Sequence, residues 1–252
     1  VLYKPLWEDK FRRWLLNIST IVLIWAYAFL TGLSPSVMRS ALMLTFWALS
    51  SLLEQQTSRW NPLLAAAVVI LIVNPLALWS VSFQLSFAAV AGIMLFGSSM
   101  QQAVVSKGRV WQSVSGLLIV SLAAQLGTMP LTLHYFGQTS NYFALTNLIV
   151  VPMAGILLSL GFSTLAMSWC AVGEWLGLAT KWCTWLLNQA VQWIESLPYS
   201  TTHMHLSEWG VIGLYGAIIC GLLMMRGGKV HWWWIIGVII CLIVVLRVEL
   251  IV

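Results

Sequence analysis

Acid–base catalysis and divalent-metal chemistry need carboxylates in groups, and this sequence offers few to group. Asp9 is the only aspartate, and the six glutamates (Glu8, Glu54, Glu174, Glu195, Glu208, Glu249) are scattered. No catalytic residue, metal site or cofactor is expected, and the chain does not read as an enzyme. Cys170, Cys183, Cys220 and Cys241 lie apart in apolar segments with no CxxC pair, and read as packing residues. His203 and His205 flank Met204, but two histidines without a third ligand are a poor metal signal. A solvated loop is the better reading.

The polar residues that remain are of another kind. Arg39 is the one basic residue inside the first two apolar segments. An arginine at a helix centre in lipid costs roughly 2.5–3.5 kcal/mol on insertion scales, so it must snorkel, pair or meet an anion. Ser121, Gln125, Thr128 and Thr132 step by four, three and four, which places them on one helix face. That face serves equally as a conduit lining or as hydrogen-bonding glue between helices. Gln84 opens another segment, with Ser82 and Ser86 one turn apart. Asn74-Pro75, Pro130 after Thr128, and Pro152 after Asn147 interrupt the third, fifth and sixth apolar segments. Each proline removes an amide donor and frees a carbonyl one turn earlier, so helix breaks are expected at Pro75, Pro130 and Pro152.

These residues need a scaffold, and composition fixes its solvent. The chain has 252 residues, 60% hydrophobic and 8% charged, against about a quarter charged in soluble domains. The expected fold is an all-α polytopic membrane helix bundle of about eight or nine spans, several of them broken by proline. The apolar runs are residues 15–33, 36–53, 62–81, 83–97, 111–134, 142–169, 175–194, 208–225 and 232–246. Residues 1–14 suit a cytoplasmic interfacial segment, 15–169 a six-span core, 170–207 an amphipathic helix with an outer loop, and 208–252 the closing spans. Ser34-Pro35 and Asn61-Pro62 read as helix starts, and tryptophans fall at the span ends, as amphipathic rings at a headgroup layer do. The 175–194 run carries a polar stripe, so it either crosses the bilayer or lies flat in its interface. The basic loops set the cytoplasmic side. The chain begins without Met or a signal-peptide pattern, which suits a piece of a longer protein.

Four segments carry a resemblance: Thr31-Gly32-Leu33-Ser34-Pro35 through Arg39 to Met43; Asn74-Pro75-Leu76 into the Ser80–Gly92 run; Gln125-Leu126-Gly127-Thr128-Met129-Pro130 with Tyr135-Phe136-Gly137; and Asn147 to Pro152. In order and spacing they resemble the central transmembrane domain of the ComEC-type competence proteins, from about residue 25 to 165. The resemblance implies a channel domain that translocates transforming single-stranded DNA across the bacterial cytoplasmic membrane during natural competence. It also implies other competence proteins, the lipid bilayer and a second copy of the chain as partners. Arg39, Asn74, Gln84, Ser121, Gln125, Thr128 and Asn147 are the expected conduit residues. The alternatives are a small-solute transporter with its site at the broken helices and a non-transporting membrane scaffold. The family's nucleic-acid-binding-like and metallo-hydrolase-like domains have no counterpart here, and any nuclease activity would sit in the absent region.

Overall fold

The computed structural model describes residues 6–52, 58, 60–103 and 109–225. The chain divides into two compact units, residues 1–90 and 91–252.

In the first unit, α1 (Leu6–Leu30) and α2 (Pro35–Leu52) form an antiparallel hairpin. Ala28, Ala41 and Ala48 are buried in this unit, and small side chains let helix backbones approach closely. Two side-chain bonds tie the hairpin: Trp25 Nε1 donates to Thr45 Oγ1 at 3.1 Å and Asn17 Nδ2 to Ser51 Oγ at 2.8 Å. The link needs two left-handed residues in succession, Gly32 at φ +74° and Leu33 at φ +52°. Nothing would obstruct a Cβ at Gly32, so the glycine is there for its backbone freedom. The sharp turn delivers Ser34 to the start of α2, where its carbonyl accepts from the Met38 amide at 2.9 Å.

The third helix, α3 (Trp60–Val73), has 14 residues. Its start lies before the expected Asn61-Pro62 cap, because Ser58 supplies the capping oxygen, accepting from the Trp60 amide at 3.5 Å. It ends where Pro75 cannot continue the ladder, and a five-residue 3-10 turn, Pro75–Trp79, follows. Ser80 then caps α4 (Val81–Ala103), accepting from the Phe83 amide at 3.3 Å.

The later part of α4 belongs to the second unit, with α5 (Arg109–Phe136), α6 (Phe143–Ala166), α7 (Ala171–Glu195) and α8 (Glu208–Met225). Gly92 of α4 meets the backbone of α5 so closely that a Cβ would lie 2.5 Å from the Ala123 carbonyl oxygen and 3.0 Å from Gly127 Cα. Phe96 and Ala123 are buried beside this contact. α7 runs antiparallel along α6: the Thr164 and Thr180 hydroxyls share a hydrogen bond at 3.2 Å. Toward the other end, Thr146 lines a cavity with Val191 and Ile194.

Three expectations change. The described residues hold eight helices, but only Val81–Gln101, Trp111–Phe136 and Phe143–Ala166 are long and apolar enough to count as spans. α3 falls short because its 14 residues cover about 21 Å of a hydrocarbon core near 30 Å. The apolar stretches Trp14–Leu30 and Glu208–Gly221 are also short, and α7 is interrupted by its polar stripe. The run at 232–246 lies outside the described residues. Second, Pro130 and Pro152 do not break their helices, because α5 and α6 continue through them. Near Pro130, one outside donor reaches the preceding turn at Gly127 O, as described below. Third, the α5–α6 and α7–α8 connections pair as a short two-stranded antiparallel ribbon, β1 (Gln138–Ser140) with β2 (Thr201–His203), in the register Thr139 opposite Thr202.

Candidate functional site

Arg39 sits one turn into α2 and is 5% exposed. Its Nη2 donates to Ser82 Oγ on α4 at 2.6 Å. Its Nε–H is buried with no acceptor among the described residues. Leaving a buried donor unmade costs about 1–3 kcal/mol, and more for a charged group. Arg39 lines a cavity of about 640 Å³ whose walls come from α1, α2, α3, the Pro75–Trp79 turn and the start of α4. Trp25, Ser34, Ser36, Asn74, Ser80 and Ser82 are among its lining residues, and no carboxylate is among the described residues that line it. Of the three expected outcomes for Arg39, the described residues show a pairing, with the Ser82 hydroxyl and with no acid among the described residues of the cavity wall.

The break at Pro75 is what shapes this wall. Asn74 Oδ1 accepts from the Leu76 amide at 3.1 Å, and its own amide still donates to Ile70 O at 2.8 Å. The residue therefore ends one helix and starts the 3-10 turn. Gln84 folds back from α4 to donate to Leu78 O at 3.0 Å. Of the expected conduit residues, Arg39 and Asn74 line this cavity, while Gln84 clamps the turn beside it.

Ser121, Gln125 and Thr128 belong to the second unit, and the Gln125 and Thr128 side chains are hydrogen-bonded within it. Ser121 is buried. Gln125 Nε2 donates to Thr139 Oγ1 of β1 at 3.0 Å, and Thr139 is itself buried. Thr128 Oγ1 donates to Ala124 O at 3.0 Å, and Thr132 Oγ1 to Thr128 O at 2.9 Å. His134 Nδ1 donates to Leu206 O at 2.8 Å. Pro130 is fully buried. The Tyr215 hydroxyl of α8 donates to Gly127 O at 2.8 Å, just upstream of that proline. This pattern is that of polar groups knitting a bundle in a medium without water. Asn147 is half-buried on α6 and Pro152 exposed there, and neither lines the Arg39 cavity.

Sequence reasoning did not find Tyr215, Thr139 or the role of Ser82 as the arginine's partner. Ser82 stood next to Gln84 in the motif, so helical spacing gave a hint. Tyr215 and Gly127 are 88 positions apart, and no local pattern marks such a pair.

Residues 2–228 match the family described as Competence protein. ComE operon protein 3 of Bacillus subtilis is 34% identical over 166 residues, which is 61% of this chain and 20% of that protein. The uncharacterized protein YcaI of Escherichia coli is 29% identical over 127 residues, 50% of this chain and 17% of the relative. The chain therefore spans about a fifth of the length of the curated relatives it matches. No solved structure matches. The match over most of the chain settles the grouping: this chain belongs to the competence protein family.

Proposed function

We propose that this domain forms part of the membrane conduit that carries transforming single-stranded DNA across the bacterial cytoplasmic membrane, as a multi-pass protein acting with other competence proteins. The observation that carries the reading is the Arg39 cavity: a buried guanidinium, in a helical bundle of this family, with no carboxylate among the described residues of the surrounding wall. A polyanion passing through lipid needs fixed positive or dipolar groups and few fixed anions. A small-solute transporter more often carries an acidic coupling group near mid-membrane, and none is among the described residues that line this cavity. The domain's part is transport; we assign it no catalysis.

For α5 a specific observation favours the scaffold reading. Gln125, Thr128 and Thr132 spend their donors on the second unit's own backbone and ribbon. Within the proposed conduit they hold shape, and the cavity residues Arg39 and Asn74 meet the strand.

The test is Arg39→Ala in the full-length gene product, with transformation frequency and entry of labelled DNA measured at matched expression. The reading expects at least a tenfold loss of both. Normal uptake at equal expression would sink it.

A further inference from the structure

We propose that the Arg39 cavity is a binding site for a phosphodiester monoanion, the linking group of a nucleic-acid strand, taken one phosphate at a time. This deepens the conduit reading and rests on it for the identity of the strand. The site itself rests on three observations. Arg39 is nineteen-twentieths buried, as its 5% exposure states. Its Nε–H has no acceptor among the described residues. It lines a cavity of about 640 Å³, within the usual 300–1,000 Å³ of small-ligand sites.

The charge selects the ligand class. A guanidinium presents several N–H donors in a fixed plane that matches phosphate oxygens. With one donor spent on Ser82, the ion has no counter-charge among the described residues of its wall. Much of the remaining lining is aliphatic or aromatic, including Leu42, Val69, Ile70 and Phe83, and such a wall penalises net charge. A phosphodiester carries one negative charge and leaves the pair neutral. A phosphate monoester or free phosphate near its dianionic form would leave an uncompensated negative charge among apolar groups. Around the arginine, the hydroxyls of Ser34 and Ser36 and the ring of Trp25 suit sugar oxygens and a base face. A lipid headgroup shares the phosphodiester but brings two acyl chains, with no sugar or base to use those groups. Ser82 is a positioning residue: it holds the guanidinium in place without supplying a negative charge.

The experiment places a reporter in the cavity of the full-length gene product. Ser36→Cys is introduced into a background without other cysteines, and its labelling by a small maleimide is timed in detergent micelles. Dimethyl phosphate and a short oligothymidylate are the probes. The expected result is labelling slowed at least threefold by either probe with Arg39 present, and unchanged labelling in Arg39→Gln. Equal slowing in both proteins, or none in either, overturns the site. If Arg39→Gln fails to fold, Arg39→Lys keeps the charge and removes the Nε–H, and protection must fall there too. In lipid nanodiscs, protection by phosphatidylglycerol over phosphatidylcholine without protection by oligothymidylate overturns the strand as ligand. Loss of DNA uptake without any phosphodiester protection overturns this inference and leaves the conduit reading standing. Protection with normal uptake in Arg39→Gln supports the site and overturns the conduit role.

Discussion

The Tyr215 hydroxyl of α8 donates to the backbone carbonyl of Gly127 in α5 at 2.8 Å, three positions before the buried Pro130. A proline inside a helix displaces the carbonyls of the preceding turn, and in lipid these must find donors within the protein. The phenol is such a donor for the turn before Pro130, through which α5 continues. Tyr215→Phe keeps the ring and removes the donor. Thermal unfolding in detergent, followed by tryptophan fluorescence, should show a destabilisation of about 0.6–1.7 kcal/mol, the range found for hydrogen bonds between membrane helices. An unchanged midpoint would mean that Gly127 has no need of the bond.

Gly92→Ala should be worse than its size suggests. The new methyl would sit 2.5 Å from the Ala123 carbonyl oxygen and 3.0 Å from Gly127 Cα, and both are backbone atoms that cannot rotate away. α4 and α5 must part, at a cost of about 1–3 kcal/mol. Gly155→Ala on α6, where nothing lies within 4 Å, is the matched control. It should leave the unfolding midpoint level or raise it.

The antiparallel pairing of α6 and α7 decides between the two readings of the 175–194 run. If α6 crosses the bilayer, α7 crosses with it. Glu174 and Glu195 then stand about 32 Å apart at 1.5 Å per residue, close to the hydrocarbon thickness of about 30 Å. Cysteines at 174 and 195, introduced singly, should react with a membrane-impermeant maleimide from opposite faces of the membrane. Labelling of both from one face would mean a helix lying flat.

Gln125 and Thr139 link α5 to the ribbon at 3.0 Å. A double-mutant cycle of Gln125→Ala with Thr139→Val should return a coupling of about 0.6 kcal/mol, the average for such bonds in membranes. Each single variant should lower folded yield before it lowers DNA entry per folded molecule. The opposite order would make Gln125 a conduit residue after all.

Apolar run lengths located nearly every helix, because a helix in lipid is written in consecutive residues. The 15–33, 36–53 and 208–225 runs became α1, α2 and α8 with shifts of a few residues at most sites except the longer start of α1. Pro75 was legible as a break, since Asn74 beside it could cap what followed. Pro130 and Pro152 misled, because whether a proline breaks a helix depends on donors elsewhere in the fold. Arg39 stood out as a lone cation, but its partner Ser82, 43 positions away, is fixed only when α4 packs near α2. The ribbon strands have three residues each and polar side chains, so they left no hydrophobic alternation to read.

That ribbon collects the ends of four helices. His134 at the end of α5 donates to Leu206 O, Asn141 before α6 donates to Tyr199 O at 2.7 Å, and Tyr142 donates to Pro198 O just beyond α7. The same strand runs through Ser207 into α8, where Ser207 Oγ accepts from the Gly210 amide at 3.3 Å. Four rods lashed together at one end can spread only from the other. The ribbon is thus a fulcrum, and any widening within this group of helices must be largest at the end away from it, toward the α6–α7 turn at Met167–Cys170.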